Sequence, residues 1–200
     1  MTEPVTRPSL LARIRDLSDS QAWAQFVESY APVVLGYALR HGLQEADADD
    51  LAQEVFRAVA RAAPELRYDP ARGRFRAWLF TVTRNKLRNL LAAQKRDRCD
   101  NGDSRGAGFL ARQPAPAEEA DLWDRECRRQ LFRRAAEQVQ GQFEETTWKA
   151  FWRVAVEGGE PAAVARQLGI SLGAVYIAKS RVLKCLREQI NAWHEQEPEL

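Results

Sequence analysis

The chain is short of the residues that most often carry out chemistry. Among 200 residues it holds two histidines, three cysteines and one methionine. His41 and His194 stand far apart, and Cys99, Cys127 and Cys185 contain no C-x-x-C pair, so no zinc signature can be assembled. The cysteines are expected to be free thiols without a chemical role. A Gly-rich phosphate loop, a His-Glu-x-x-His helix and a nucleophile elbow are all missing, and Asp47, Asp49, Asp50 and Glu54 scatter around a helix instead of converging. The sequence therefore nominates no catalytic residue, no metal ligand and no cofactor, and an enzyme is not expected. Apolar runs of 18 residues are absent too, and Met1 to Pro8 lacks the apolar stretch of a signal peptide. Membrane insertion and export are not expected, and the cytoplasm is the expected compartment.

What is abundant is charge, unevenly placed. The total of 30 basic and 28 acidic residues is nearly balanced. Residues 71–98, however, carry nine basic residues against Asp97 alone, and residues 161–190 carry five against Glu188 alone. The remaining segments, 1–70, 99–160 and 191–200, are each net acidic. Two basic blocks divided by acidic ones describe two surfaces for a polyanion and other surfaces that would repel it.

The hydrophobic pattern is helical almost throughout, which predicts an all-α protein. Trp23, Phe26, Val27, Tyr30, Val33, Val34 and Tyr37 recur at three and four, with Asp19 or Ser20 as N-cap and a stop near Gly42. Leu51, Val55, Ala58 and Ala62 mark a second helix that Pro64 closes, and a third runs from about Arg74 to about Arg96. Between Arg98 and Ala117 the chain turns to Gly, Pro and Asn, the composition of a linker; fully extended, such a segment would reach about 65 to 70 Å. Helical spacing resumes with Leu122, Trp123, Cys127, Leu131, Ala135 and Val139, and later breaks at Gly158-Gly159. Glu160-Pro161 then opens a short helix, Gly169 permits a left-handed turn, and Ser171 can cap a last helix to about Ile190. This is the helix-turn-helix pattern.

Three faces stand out at 100° per residue. On the third helix Arg84, Arg88, Asn85 and Asn89 share a stripe beside Phe75 and Trp78. Cations for phosphates, amides for base edges and an aromatic shelf together suit capture of a single strand. On the second helix Phe56 falls outside the apolar seam among Asp49, Asp50, Gln53 and Arg57, as a protein-binding anchor would. On the last helix Val175, Ala178, Val182, Leu186 and Ile190 point inward, leaving Ile177, Ser180 and Lys184 outermost with Tyr176, Arg181 and Arg187 beside them. In a major groove Ile177 would meet a thymine methyl, while Arg181 and Ser180 would hydrogen-bond bases or phosphates.

These residues carry a family likeness. The run Asp-Ala-Asp-Asp-Leu-Ala-Gln-Glu-Val-Phe from Asp47 to Phe56, and the run Tyr-Asp-Pro-Ala-Arg-Gly-Arg-Phe-Arg-Ala-Trp-Leu-Phe-Thr-Val-Thr-Arg-Asn from Tyr68 to Asn85, resemble region 2 of bacterial RNA polymerase sigma factors of the extracytoplasmic-function (ECF) class, within the sigma-70 family. Val164 to Ser171 and Val175 to Arg181 resemble region 4 of the same family. The resemblance implies two helical domains, region 2 at 10–97 and region 4 at 118–191, joined by a flexible linker at 98–117. It implies core-polymerase binding by Asp49, Asp50, Gln53, Glu54, Phe56 and Arg57, on the clamp of the large subunit. It also implies minus-ten recognition and melting by Tyr68, Trp78, Arg84, Asn85, Arg88 and Asn89, and minus-thirty-five recognition by Ser171, Tyr176, Ile177, Ser180, Arg181 and Lys184, with region 4 also touching the polymerase flap. Core RNA polymerase and promoter DNA are the expected partners, with room for an anti-sigma factor. Tyr176, Ile177 and Ala178 depart from the basic or small polar residues that many relatives carry there. The runner-up reading is a dimeric helix-turn-helix regulator that binds duplex operator DNA without polymerase.

Overall fold

The computed structural model describes residues 8–65, 74–100 and 116–195, and among these there is no strand. The all-α expectation holds. The helices are α1 (Pro8–Arg13), α2 (Ser20–Arg40), α3 (Glu45–Ala62), α4 (Arg74–Asp100), α5 (Pro116–Val139), α6 (Glu145–Ala155), α7 (Pro161–Leu168) and α8 (Leu172–Glu195). Short 3-10 turns at Ala63–Glu65 and Gln140–Gln142 follow α3 and α5.

Local chemistry explains most of the ends. The Asp19 carboxylate accepts the Ala22 N–H at 2.9 Å and starts α2, and Gly42, with φ of 81°, turns the chain out of it. Pro32 lies inside α2 and has no N–H to give the preceding turn. Tertiary packing holds the helix through this gap: Phe26, Val34 and Tyr37 are fully buried along one side. Burying each such side chain contributes about 1.5 to 3 kcal/mol. Val27, counted above with the apolar series, is 37% exposed, because the buried stripe of α2 passes through Phe26 and Tyr30 and leaves residue 27 at its edge.

The chain divides into two compact units, the first ending at Arg128 and the second beginning at Arg129. In the first, α2, α3 and α4 pack around Phe26, Val34, Tyr37, Leu51, Val55 and Leu79, with Leu11 and Ile14 closing one end. Trp123 and Cys127 of α5 belong to this same core. The division therefore differs from the expected one: α4 continues to Asp100, three residues past 97, and the first turns of α5 lie with the first unit and not with a domain beginning at 118. The reason is that Trp123, which prolongs the helical spacing toward Ala135 and Val139, packs on Tyr37 and Phe80, and Cys127 is buried in the same core, a choice that periodicity cannot reveal.

In the second unit α6, α7 and α8 surround Val139, Ala150, Phe151, Val164, Val175, Val182 and Leu186, all buried. Glu160 caps α7 by accepting the Ala163 N–H at 2.7 Å, Pro161 occupies the first turn, and Gly169 ends the helix with φ of 66°. Ser171 Oγ accepts the Ala174 N–H at 3.1 Å and starts α8. The helix-turn-helix follows its expected punctuation, except that α8 runs on to Glu195.

Candidate nucleic-acid interface

The outer face of α3 carries Asp49, Asp50, Gln53 and Arg57, all exposed. Arg57 donates to Glu54 Oε1 and to Gln53 Oε1, and Lys86 Nζ of α4 donates to Glu54 Oε2 at 3.1 Å. The Lys86 ammonium first, then the Arg57 guanidinium, hold the Glu54 carboxyl below the usual carboxylate range. Phe56 does not stand free, as the helical wheel had it. Its ring is half-buried, edge-to-face on Phe26 at 5.9 Å. The wheel measures angle from one seam, but α3 is flanked by both α2 and α4, so a residue well off that seam still meets a neighbour.

On α4, Asn85 and Asn89 are exposed, in keeping with the sequence expectation, while Phe75 is buried. Trp78 is half-buried, packed on Phe75 at 5.6 Å and on the core. Arg84 and Arg88 differ from the open stripe expected of them. Arg84 Nε lies 3.0 Å from Glu119 Oε2, and Arg88 Nη2 lies 3.3 Å from both oxygens of the same carboxylate. Glu119 is itself 3% exposed, at the start of α5. Tyr68 lies outside the described residues.

Sequence reasoning missed the acidic side of this arrangement. Glu119, Trp123, Glu126 and Cys127 are all buried, at the spacing of one helix face. Glu126 Oε2 accepts from Arg40 Nε at 3.0 Å, and Asp124 accepts from Arg76. Gly36 supplies the room: a Cβ there would collide with the Glu126 side chain. Burial pushes the Tyr37 phenol well above its ordinary range, with the Glu119 charge adding to it, and burial raises the Cys127 thiol to about 12, which leaves it protonated and inert. Two glutamates at i and i+7 flanking a Trp at i+4 were the available signal.

On α8 the first turns present Tyr176 and Ile177, each 54% exposed, with Leu172 at 43%. Ser180, Arg181 and Lys184 are exposed as expected, and Lys184 pairs only loosely with Glu188 at 3.7 Å. The Ser171 hydroxyl oxygen is engaged as the α8 cap. Elsewhere on this unit Trp148 and Trp152 stack at 5.8 Å beside Lys149 and Arg153, along an open cleft of about 310 Å³. No helix among the described residues is long and apolar enough to cross a membrane.

Residues 26–97, which span α2 to α4, match the model of the family described as sigma-70 region 2. The chain is 33% identical over 78 residues to the ECF RNA polymerase sigma factor RpoE of Cereibacter sphaeroides, an alignment covering 39% of this chain and 42% of that protein. It is 32% identical over 90 residues to the RNA polymerase sigma factor NccH of Alcaligenes xylosoxydans, covering 45% and 46%. It is 33% identical over 87 residues to the RNA polymerase sigma factor CnrH of Cupriavidus metallidurans, covering 44% and 44%. The aligned part thus spans less than half the length of each of these curated relatives.

Proposed function

We propose, on the premise that residues 26–97 of this chain belong to the sigma-70 region 2 family, that the protein is an RNA polymerase sigma factor of the ECF class. It binds core polymerase and supplies promoter recognition to it. The family match over α2 to α4 carries this reading, and the surface of those helices supports it: an acidic and polar face on α3, exposed amides with cations on α4.

In this reading Asp49, Asp50, Gln53 and Glu54 dock on the polymerase clamp, with Phe56 stiffening the docking helix from within. Asn85 and Asn89 hold the edge of an unstacked base in the minus-ten element, Arg84 and Arg88 take its phosphates, and Trp78 with Phe75 backs the site. Opening the duplex needs no nucleotide hydrolysis. Unstacking one base costs a few kcal/mol, and stacking and edge hydrogen bonds on the captured strand offset about 1 to 3 kcal/mol per base. The helix-turn-helix of α7 and α8 reads the minus-thirty-five element through Tyr176, Ile177, Ser180, Arg181 and Lys184, while the Ser171 hydroxyl is left one proton to donate. Two modest DNA contacts held on one polymerase reinforce each other through effective concentration. An anti-sigma factor would act by covering either surface.

Transcription by core polymerase with and without this protein, across a library of randomised promoters, tests the proposal. Selective enrichment of two spaced elements is expected. Equal transcript from both reactions would refute it. Specific binding of a duplex operator without polymerase would point instead to the dimeric regulator.

A further inference from the structure

The face formed by α2 and α4 in the first unit is built to receive an acidic helix. It offers four guanidinium groups, those of Arg40, Arg76, Arg84 and Arg88, around an aromatic floor of Tyr37 and Phe80. Residues 116–128 match it in chemistry. They hold five acidic residues against Arg125 and Arg128, and their buried side chains alternate charge with bulk: Glu119, Trp123, Glu126, Cys127. The Trp123 ring sits 5.5 Å from Tyr37 and 5.7 Å from Phe80, and Gly36 is cut back where Glu126 enters.

We infer that this α2–α4 face is a receptor for an acidic amphipathic helix, that Pro116–Arg128 of this chain is its occupant, and that the occupant competes with promoter DNA for Arg84 and Arg88. The inference rests on the proposed assignment of those two arginines to DNA. A buried carboxylate is tolerable only while paired, so Glu119 holds both guanidiniums for as long as the helix is seated. Those donors are then withheld from phosphate, and the added negative charge repels an approaching strand. The ionic part of the contact makes the occupant displaceable, since a polyanion replaces it in kind; the apolar part, buried Trp123 and Cys127 with the half-buried Leu122, is the cost a competitor must meet. Because the occupant is covalently attached, a competitor succeeds only when it too is held at high local concentration. A polymerase carrying promoter DNA meets that condition, and free DNA does not.

The test uses the full chain and a dye-labelled fork-junction DNA selected from a randomised minus-ten library. Without polymerase, Glu119→Gln is expected to bind this DNA at least fivefold more tightly than wild type, and Arg84→Ala with Arg88→Ala to bind it more weakly. Hydrogen exchange on the wild-type protein provides a second readout that does not depend on how the variant folds. Amides of residues 117–128 are expected to lose protection when the DNA is added to the polymerase-bound protein, while free DNA leaves them protected and those of 160–190 do not lose protection in either case. If the arginine variant fails to initiate with polymerase but Glu119→Gln gains no affinity and residues 117–128 stay protected in the polymerase-bound protein, the competition is overturned and the DNA assignment stands. If the arginine variant initiates as well as wild type, the DNA assignment falls, and the competition with it.

Discussion

Lys86 Nζ lies 3.1 Å from Glu54 Oε2, so a cation from the basic block on α4 is bound to the acidic face of α3. The two faces read separately from the sequence, one for a protein and one for DNA, are thus in contact. Lys86 therefore already has a carboxylate partner on α3.

Replacing Phe56 with Ala is expected to lower both polymerase affinity and stability, because the ring touches Phe26. A half-buried Phe lost in this way costs about 1 to 2 kcal/mol. Gln53→Ala and Asp50→Ala, both fully on the surface, should weaken a polymerase pull-down with stability held within about 0.5 kcal/mol. Denaturant melts run beside the pull-downs separate the two effects. A Phe56→Ala protein as stable as wild type would contradict the packing.

Gly36→Ala should destabilise the first unit by about 1 to 3 kcal/mol, as an inserted methyl does in a filled site. The contact is with the Glu126 side chain, so adding Glu126→Ala to Gly36→Ala should cost less than the two single changes together. Chemical denaturation of all four proteins measures this. Strict additivity would mean that the two residues do not meet.

Asn85→Ala should leave the melting temperature unchanged, since the side chain is exposed, yet impair open-complex formation more than the first binding of polymerase to promoter. Permanganate footprinting of unpaired thymines reports the opening step, and filter binding reports the first. Equal loss in both assays would exclude a role in melting.

Glu160 links stability to pH at the start of α7. Its carboxylate accepts from the Ala162 and Ala163 amides, which hold its pKa below the ordinary 4.5. A group lowered in the folded state contributes stability above its unfolded value and loses it as pH falls through the folded one. Thermal melts from pH 6 down to pH 3 should therefore show wild type losing its advantage over Glu160→Ala as the pH drops below about 4.5. A gap between the two proteins that does not change with pH would argue against the charged cap.

Gly169 takes φ of 66°, where a Cβ is strained even though the space around it is open. Gly169→Ala should cost about 1 kcal/mol and Gly169→Asn less, since Asn tolerates that region better. The order of the two melting temperatures is the measurement.

The sequence by itself determined what is local. Asp19, Glu160 and Ser171 punctuate helices by accepting from amides three residues on, Pro161 by its fixed φ and Gly169 by its left-handed one, so their positions could be read without the fold. Helical period likewise picked out the inner side of α8, because Val175, Ala178, Val182 and Leu186 face one core. The family likeness of region 2 was legible in the same way, as runs of adjacent residues. Only the tertiary structure decided which partner each side chain met. Arg84 and Arg88 have the spacing of an open basic stripe, but a carboxylate some thirty positions later closes over both. Phe56 has the angle of a surface anchor, and a second neighbouring helix half buries it. Periodicity gives the direction in which a side chain leaves its own helix, whereas pairing depends on what the chain brings back to that side from elsewhere.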